Sequence, residues 1–225
     1  MRNKLKRFQE LSERDHVVEP GKPNFESIRG GWKAFFGNDH PITFEIGCGK
    51  GEYTVALARQ YPEQNFVGVE LKGARIWVGS NQILEENLTN AAFLRAHVLD
   101  IEQQVAENEA AALWITFSDP RPRDRDAKRR LTSARYMDIY QRIVRPGGWV
   151  HVKTDDDGLF DFTLEVLAER EDVEELVYTR DLYQSDLYAF EQQIVTGYEA
   201  KFVARGKTIK YLRFQFSSNT PLSKG

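Results

Sequence analysis

A glycine-rich turn between two acidic residues is the first feature of the sequence with the residue types to bind a small molecule. Glu45 lies in the hydrophobic segment PITFEIG, and the turn GCGKG follows it. Because glycine has no Cβ, Gly47, Gly49 and Gly51 allow the backbone to turn tightly and to approach a ligand closely. Glu70 lies at the end of the next such segment, where a carboxylate can accept hydrogen bonds from both hydroxyls of a ribose. The pattern indicates a ligand that contains a nucleoside.

Two cofactors are bound by a glycine turn followed by a strand-end acid, NAD and S-adenosylmethionine. The dinucleotide fingerprint requires G-x-G-x-x-G, and here Gly51 comes one residue too early. Glu45 and Glu52 bracket the turn, which disfavours a diphosphate and suits the sulfonium and ammonium groups of S-adenosylmethionine. The sequence therefore favours S-adenosylmethionine over NAD, and a tight turn without a ligand is the alternative.

A third acid, Asp119, follows the strand-like segment ALWITF in the motif FSDPRP. In open α/β sheets, ligands bind at the carboxyl ends of the strands, so the position favours a carboxylate with a role in the reaction. Asp-Pro is also a frequent start of a turn, which is the competing interpretation. In combination with the glycine turn and the arginines that follow, the pattern favours the functional interpretation.

Six basic residues lie between Arg121 and Arg130, against only Asp124 and Asp126, in a chain whose formal net charge is −3. Charge runs are usually solvated surface. This run, however, leaves the same strand end as Asp119, so that its cations can hold phosphates while Asp119 meets a base. The loop therefore supplies candidates for RNA binding, namely Arg123, Arg125, Lys128, Arg129 and Arg130.

Two polar motifs nearer the C-terminus are ambiguous. Asp155, in HVKTDD, follows the fifth predicted strand at the same sheet edge, where a helix N-cap is the alternative to a substrate contact. The motif TGYE, from Thr196 to Glu199, has the spacing of a helix capping box. Considered by itself, TGYE favours the cap.

Composition limits the class of protein. The chain has 225 residues, of which 41% are hydrophobic and 29% charged, as expected for one globular domain that buries a core. No apolar run is long enough to cross a bilayer, and no apolar stretch follows the basic N-terminus as in a secretory signal, so we expect a cytoplasmic location. One cysteine, Cys48, and four histidines without ligand spacing predict no disulfide framework and no metal site.

Alternating strand-like and helix-like segments must position these residues. Strand patterns occur in PITFEIG, QNFVGVEL, AAFLRAHV, ALWITF and WVHVKT, with helical patterns between most of them, which predicts βαβ units and a parallel sheet. The segments VEELVYT and TIKYLRFQF predict an antiparallel hairpin at the sheet edge. We expect residues 1–30 to be a basic, partly irregular arm and residues 31–225 to be a single domain.

In these motifs the sequence resembles the tRNA (guanine-N(7)-)-methyltransferases. The segment FGNDHPITFEIGCGKGEYTVALARQYPEQNFVGVELK is similar to the family's cofactor half, and FSDPRPRDRDAKRRLT to its Asp-Pro motif and RNA-contacting loop. HVKTDD and TGYEAKF are similar to its two further substrate motifs. One departure is Arg121, where the family commonly has tryptophan after Asp-Pro. The resemblance implies a Rossmann-like class I methyltransferase fold, with a mostly parallel seven-stranded sheet, helices on both faces and an antiparallel C-terminal hairpin.

The resemblance also implies an activity, the transfer of a methyl group from S-adenosylmethionine to N7 of guanine 46 in the variable loop of tRNA, by a monomer or homodimer. Asp119 is the implied catalytic residue. Implied cofactor contacts are Glu45, Gly47, Gly49, Glu70, His97 and Asp119. Implied contacts to tRNA are Arg123, Arg125, Lys128, Arg129, Arg130, Asp155, Thr196, Gly197, Tyr198 and Glu199.

Two other classes of function remain open at the level of the sequence. Enzymes that methylate an exocyclic amine carry an Asp-Pro-Pro-aromatic motif, which FSDPRP matches at two positions, but Arg121 and Arg123 leave it without the aromatic residue that stacks on the base. The other class is an RNA-binding module of the same fold without catalysis. Binding of labelled S-adenosylmethionine distinguishes that module from both enzymes.

Overall fold

The strands form one sheet in the computed structural model, which describes residues 2–188 and 193–217. The eight strands lie in the order β1-β4-β3-β2-β5-β6-β8-β7. All neighbouring pairs are parallel except those of β8, which runs antiparallel to both β6 and β7. The strand bounds are β1 Val17–Val18, β2 Ile42–Ile46, β3 Asn65–Val69, β4 Ala91–Leu94, β5 Ala110–Thr116, β6 Val144–Thr154, β7 Val173–Thr179 and β8 Lys210–Phe216.

Helices cover both faces of the sheet. Their bounds are α1 Arg2–Ser12, α2 Trp32–Phe36, α3 Glu52–Gln60, α4 Gly73–Glu86, α5 Ala134–Ile143, α6 Asp157–Ala168 and α7 Gly197–Val203. Successive residues of a strand point to opposite faces. Accordingly, Leu113 of β5 joins the hydrophobic cluster that contains α2, α5 and α6, whereas the adjacent Trp114 joins the cluster that contains α1, α3 and α4.

The expected architecture is confirmed, with one strand more than the seven expected. The extra strand, β1, pairs in parallel with β4 through Val17 and Val18. Two residues are too few to produce a periodic pattern, so this strand could not be predicted from its residues. The C-terminal strands are antiparallel as expected, but a long connection that includes α7 separates β7 from β8, and β8 inserts between β6 and β7.

The first thirty residues, expected as a basic and partly irregular arm, contain α1 and β1 and pack on α4. Leu11 is completely buried, and a Cβ on Gly73 at the start of α4 would lie 2.8 Å from the ring of Phe8. The ammonium of Lys22 donates to the carbonyls of Leu11, Arg14 and Val17 at 2.6–2.9 Å. These bonds satisfy carbonyls where α1 ends and fasten the segment that follows it. Among the described helices, none is long and apolar enough to cross a membrane.

Candidate active site

The carboxyl ends of β2, β5 and β6 border a cavity of about 550 Å³. Seven of the residues predicted for the site line it, namely Glu45, Gly47, Gly49, Asp119, Asp155, Thr196 and Tyr198. A second cavity, of about 480 Å³, lies near the opposite edge of the sheet beside Lys33 and Arg145, and its lining contains none of the predicted residues. The geometry therefore concentrates the candidate chemistry in the first cavity.

The glycine turn leaves space for a ligand. Gly47 and Cys48 donate backbone hydrogen bonds to the carbonyl of Val69 at 2.9 and 3.0 Å, which joins the turn to the end of β3. Gly49 has φ +57, a conformation that favours glycine, and a Cβ built on it would meet nothing within 4 Å. The backbone at Gly49 can therefore be approached closely from the cavity.

One aromatic ring packs against three glycines behind this turn. A Cβ on Gly51, Gly68 or Gly79 would lie 2.3, 2.7 or 2.6 Å from the ring of Phe93, respectively. These three residues belong to the turn, to β3 and to α4. Phe93 is completely buried, and its ring occupies space that side chains at these three positions would need. The absence of three side chains therefore allows the turn, β3 and α4 to approach one another.

Glu45 is buried beneath the cavity and is held by two threonines. Both the backbone N–H and the hydroxyl of Thr54 donate to one of its carboxylate oxygens, and Thr116 donates to the other at 2.7 Å. Burial, which disfavours the charged form, raises the pKa of Glu45 to about 7, and Glu52 adds to the rise. A cationic group in the cavity would favour the ionised form.

The structure places Glu70 and His97 outside the lining of this cavity. Glu70 is nearly buried, accepts a hydrogen bond from the backbone N–H of Lys72 at 2.9 Å and pairs with Arg75 at 3.2 Å. Arg75 does line the cavity, so Glu70 affects the cavity by holding the Arg75 guanidinium. His97 is exposed, and its Nδ1 accepts from Leu99 N–H at 3.2 Å, which caps the short helix that follows.

Asp119 is both a turn residue and a residue of the cavity wall. Its Oδ1 accepts from Arg121 N–H at 3.1 Å, as in an Asp-Pro turn, while 68% of its side chain is exposed. Phe117 and Arg121, on either side, have φ values of +46 and +42. Non-glycine residues in this region carry strain on the order of 1–3 kcal/mol each, and such strain is concentrated at functional sites. The turn therefore directs the Asp119 carboxylate to the cavity wall at the cost of local backbone strain.

Ser118, beside Asp119, carries a polar atom that a ligand would satisfy. Its Oγ is buried on the cavity wall and has no hydrogen-bond partner among the described residues. Buried polar atoms nearly always have partners. A ligand with hydrogen-bonding groups and positive charge would satisfy Ser118 and compensate the acids Glu45 and Glu52 that line the same cavity. S-adenosylmethionine has both properties, so the residues present fit it.

The basic loop divides into exposed cations and one buried arginine. Arg123, Arg125, Lys128 and Arg129 are exposed, and Arg129 pairs with Asp126 at 3.2 Å. Arg130 instead is only 9% exposed. Its guanidinium donates to the carbonyls of Pro120 and Arg121 at 3.0 and 3.2 Å and lies 4.3 Å from the ring of Phe162. Arg130 therefore holds the Asp-Pro turn through a guanidinium that is largely buried, unlike those of the exposed cations of the loop.

Asp155 lies on the cavity wall, at the end of β6. Lys207 donates to its Oδ2 at 3.1 Å, so a substrate group would share Asp155 with this lysine. The N-cap that competed with a substrate contact in the sequence exists, but Asp156 forms it by accepting from Leu159 N–H at 2.7 Å. Asp155 is thereby free of the capping role.

The motif TGYE combines a helix cap with the cavity wall. Thr196 Oγ1 accepts from Glu199 N–H at 3.2 Å and caps α7. Tyr198 is 57% exposed and lines the cavity together with Phe202, one helical turn later. Glu199, in contrast, is completely buried beneath the helix and pairs with Lys153 at 2.9 Å. Thr196 and Tyr198 therefore line the cavity, whereas Gly197 and Glu199 do not.

Several wall residues had not been predicted to contact a ligand. They are Cys48, Lys50, Glu52, Tyr53, Arg75, Thr116, Phe117, Ser118, Pro120, Asp156, Phe202 and Lys207. Phe202 had a usable signal, since it lies four residues after Tyr198 and shares its helix face. Lys207 had none, because only the tertiary fold brings it to Asp155. No group of three or more metal-ligating side chains occurs within the described part of the chain.

Comparison with known proteins identifies the family. Residues 39–212 match a family model described as putative methyltransferase. A tRNA (guanine-N(7)-)-methyltransferase of Cytophaga hutchinsonii is 44% identical over 216 residues, which cover 96% of this chain and 98% of that protein. The chain belongs to the tRNA (guanine-N(7)-)-methyltransferase family. A second member, from Bacteroides thetaiotaomicron, is 39% identical and covers 95% of this chain and 86% of that protein.

A solved structure confirms the class I fold of this family member. The 16S rRNA methyltransferase KamB superposes with a TM-score of 0.61 over 88% of this chain and 94% of that one, at 13% identity. At this identity the likeness concerns the fold alone. The Rossmann-like class I methyltransferase architecture implied by the sequence motifs is therefore confirmed.

Proposed function

We propose that this family member transfers a methyl group from S-adenosylmethionine to N7 of guanine in tRNA, at position 46 of the variable loop, in the cytoplasm. The observation that carries the proposal is the meeting of the glycine turn, Asp119 and Asp155 around one cavity. The curated relatives at 44% and 39% identity are named for this reaction on tRNA. The sulfonium of S-adenosylmethionine, when bound, supplies an electrophilic methyl group.

The residues of the cofactor half would bind and orient this cation. The exposed backbone face of Gly49 permits close approach, and the acids Glu45 and Glu52 favour positive charge nearby. Ser118 Oγ gains a partner. Arg75 lines the cavity, and Glu70 fixes its guanidinium through their ion pair.

On the substrate side, the site needs to orient the base and not to remove a proton. Guanine N7 is a lone-pair acceptor in the major groove and carries no proton at neutral pH. Holding N7 in line with the methyl group supplies most of the acceleration. Asp119 and Asp155 can accept hydrogen bonds from the N–H edge of guanine and stabilise the positive charge that develops on the ring. Tyr198, exposed on the wall, can stack on the base.

The exposed cations of the loop would hold the tRNA backbone. Arg125, Lys128 and Arg129 project from the short helix between Asp124 and Arg129, which follows the strand end that carries Asp119. Phosphate contacts fix the register of a nucleic acid and leave recognition of the base to other residues. Arg123 is closer to the Asp-Pro turn than these three residues, so it lies between the proposed phosphate contacts and the proposed base contacts.

Nucleoside analysis of the product tests the proposed reaction. The protein is incubated with unmodified tRNA and S-adenosylmethionine labelled in the methyl group, and the tRNA is then digested. We expect label in N7-methylguanosine, and none in a matched tRNA that carries adenosine at position 46. Label in a base methylated on an exocyclic amine would favour the rival class of enzyme. Binding of tRNA without any transfer would favour an RNA-binding module.

A further inference from the structure

Helix α7 forms part of the cavity wall and is fastened at two points. At its first residue, Gly197 N–H donates to Glu52 Oε2 at 2.6 Å. At its third residue, Glu199 pairs with Lys153 at 2.9 Å and accepts from the hydroxyl of Tyr183 at 2.7 Å. The position of Tyr198, which lies between these two points and faces the cavity, therefore depends on both.

Both of these contacts connect α7 to the first two residues of α3, which directly follow the glycine turn. Glu52 accepts from Gly197, and the ring of Tyr53 lies 5.7 Å from the ammonium of Lys153. Glu52 and Tyr53 also line the cavity. The segment that would bind the cofactor thus contacts the helix that would bind the substrate base, across 145 residues of sequence.

The two fastenings differ in rigidity. Lys153 and Glu199 are completely buried, so α7 cannot move away at that point without separating two charges in the protein interior. The bond between Glu52 and Gly197 is exposed and joins a flexible side chain to one backbone N–H. It can form or break while the buried pair stays intact. The start of α7 is therefore the adjustable point.

We propose that Glu52 is a positioning residue that couples occupancy of the glycine turn to the placement of Tyr198 over the substrate base. The inference rests on the proposed function for the identity of the two ligands. The Glu52 carboxylate already holds Gly197 N–H in the structure, and a cation beside Glu45 and Glu52 fixes the carboxylate in this orientation, and with it the first turn of α7. Bound cofactor therefore increases the affinity for tRNA, and by linkage tRNA increases the affinity for the cofactor.

The test measures the affinity for an unmodified tRNA transcript with and without sinefungin, an unreactive analogue that carries an amine where S-adenosylmethionine carries its sulfonium methyl group. For the wild-type protein we expect tRNA to bind at least about fivefold more tightly when the analogue is present. In Glu52→Ala this ratio falls to roughly one, and it also falls in Glu52→Gln, which keeps an oxygen acceptor for Gly197 but lacks the charge that the cofactor's cation orients. Glu52→Ala also raises the KM for tRNA at saturating cofactor, a readout that weaker cofactor binding alone would not change.

A second pair of variants acts from the other side of the hydrogen bond. Gly197 is the first residue of α7, where proline is well tolerated, and Gly197→Pro removes the N–H donor and adds a Cβ that would lie 3.3 Å from Glu52 Oε2. Gly197→Ala adds the same Cβ but keeps the donor, so it is the matched control. We expect Gly197→Pro to lose the coupling and Gly197→Ala to keep it. The melting temperatures of all four variants show whether they are folded.

Two results would overturn the inference. The first is a wild-type protein whose tRNA affinity does not respond to sinefungin. The second is full coupling in Glu52→Ala or in Gly197→Pro; full coupling together with weaker cofactor binding in Glu52→Ala would make Glu52 a cofactor contact only. Failure of the proposed function is distinct from both, since the wild-type protein would then transfer no methyl group to tRNA.

Discussion

At the scale of single residues, Asp119 is a turn residue and also lies on the wall of the candidate site. The Asp-Pro turn that competed with a catalytic role exists, because Asp119 accepts from Arg121 N–H. The same turn places the carboxylate on the cavity wall, between two residues of positive φ. The sequence therefore predicted the sheet edge at which the structure places Asp119, and its catalytic role stays a prediction. The hydrogen bond and the strain depend on a backbone path that no spacing rule specifies.

Asp119→Asn is expected to fold normally and to bind the cofactor, yet to lose most of its turnover. The side chain is 68% exposed, so exchanging its charge for an amide of the same shape costs the fold little. A lost charge-assisted hydrogen bond in the transition state corresponds to about 1.5–3 kcal/mol, or roughly a ten- to hundredfold slower transfer. Turnover is measured as methyl transfer to tRNA, and cofactor affinity is measured by calorimetry. Near-normal activity would leave Asp119 a turn residue only.

Glu45 is expected to make stability fall as the pH rises towards 8. Burial raises its pKa to about 7, so between its ordinary value and 7 the folded protein holds a proton that the unfolded chain has released. Stability from this group is complete at low pH and is lost as the pH passes through about 7. The loss between pH 5 and pH 8 is on the order of 2 kcal/mol.

Glu45→Gln isolates this contribution, since glutamine does not titrate. Its amide oxygen can accept from Thr54, while its amide N–H donates to the Thr116 hydroxyl, which reverses that hydrogen bond. The measurement is urea denaturation of both proteins at pH 5 and pH 8, with the exposed Glu63→Gln as control. His16 and His151, whose pKa values burial lowers to about 4 and about 3, titrate equally in all three proteins and cancel in the comparison. An equal change of stability between pH 5 and pH 8 in the wild type and in Glu45→Gln would refute the shift.

At the scale of elements, the loop after β5 separates cations that look equivalent in the sequence. The run RDRDAKRR gives no sign that Arg130 turns inward while its neighbours remain in solvent. The difference arises because Phe162 and the carbonyls of Pro120 and Arg121 provide a site for one guanidinium. The loop was therefore predictable as a basic surface, but the role of its last member was not.

Replacing Arg125, Lys128 and Arg129 together with alanine is expected to weaken tRNA binding and flatten its salt dependence. Each phosphate contact that is lost changes the slope of log affinity against log salt by about 0.7, or about two units for three contacts. Arg130→Ala is the contrasting variant. It should lower turnover by loosening the Asp-Pro turn and leave the salt slope unchanged. Filter binding from 50 to 300 mM salt, roughly the range in which such effects are large, measures the slopes. A wild-type slope in the triple variant would mean that tRNA is held elsewhere.

At the scale of the whole molecule, the parallel sheet and its covering helices followed from the sequence because each strand and helix has its own hydrophobic period. The parts that did not follow are those that tertiary contacts create. The two-residue β1, the insertion of β8 between β6 and β7, and the meeting of Lys207 with Asp155 leave no local signal. Glu199, predicted to contact the substrate, is the third residue of α7 and faces the protein interior, where it pairs with a lysine 46 positions earlier. No local signal indicates this pairing either.

That buried pair ties the C-terminal part of the chain to the centre of the sheet. Lys153→Met leaves the Glu199 carboxylate buried without its partner and is expected to lower the free energy of unfolding by about 3–5 kcal/mol. Lys153→Met combined with Glu199→Met removes both charges and should recover most of the loss. Urea denaturation of the wild type, both single variants and the double variant gives the coupling. Additive effects of the two single changes would contradict a direct pair.

The ring of Phe93, packed where three glycines lack side chains, also restricts how the sequence can diverge. Gly68 has an ordinary strand conformation, so the obstacles to alanine there are two side chains, Phe93 at 2.7 Å and Cys48 at 2.8 Å. A lineage that gains alanine at position 68 must first, or at the same time, accept a smaller residue at 93 and a shift of Cys48. An alanine at position 68 is therefore expected only in chains that already carry a smaller residue at position 93 or that acquire both changes together.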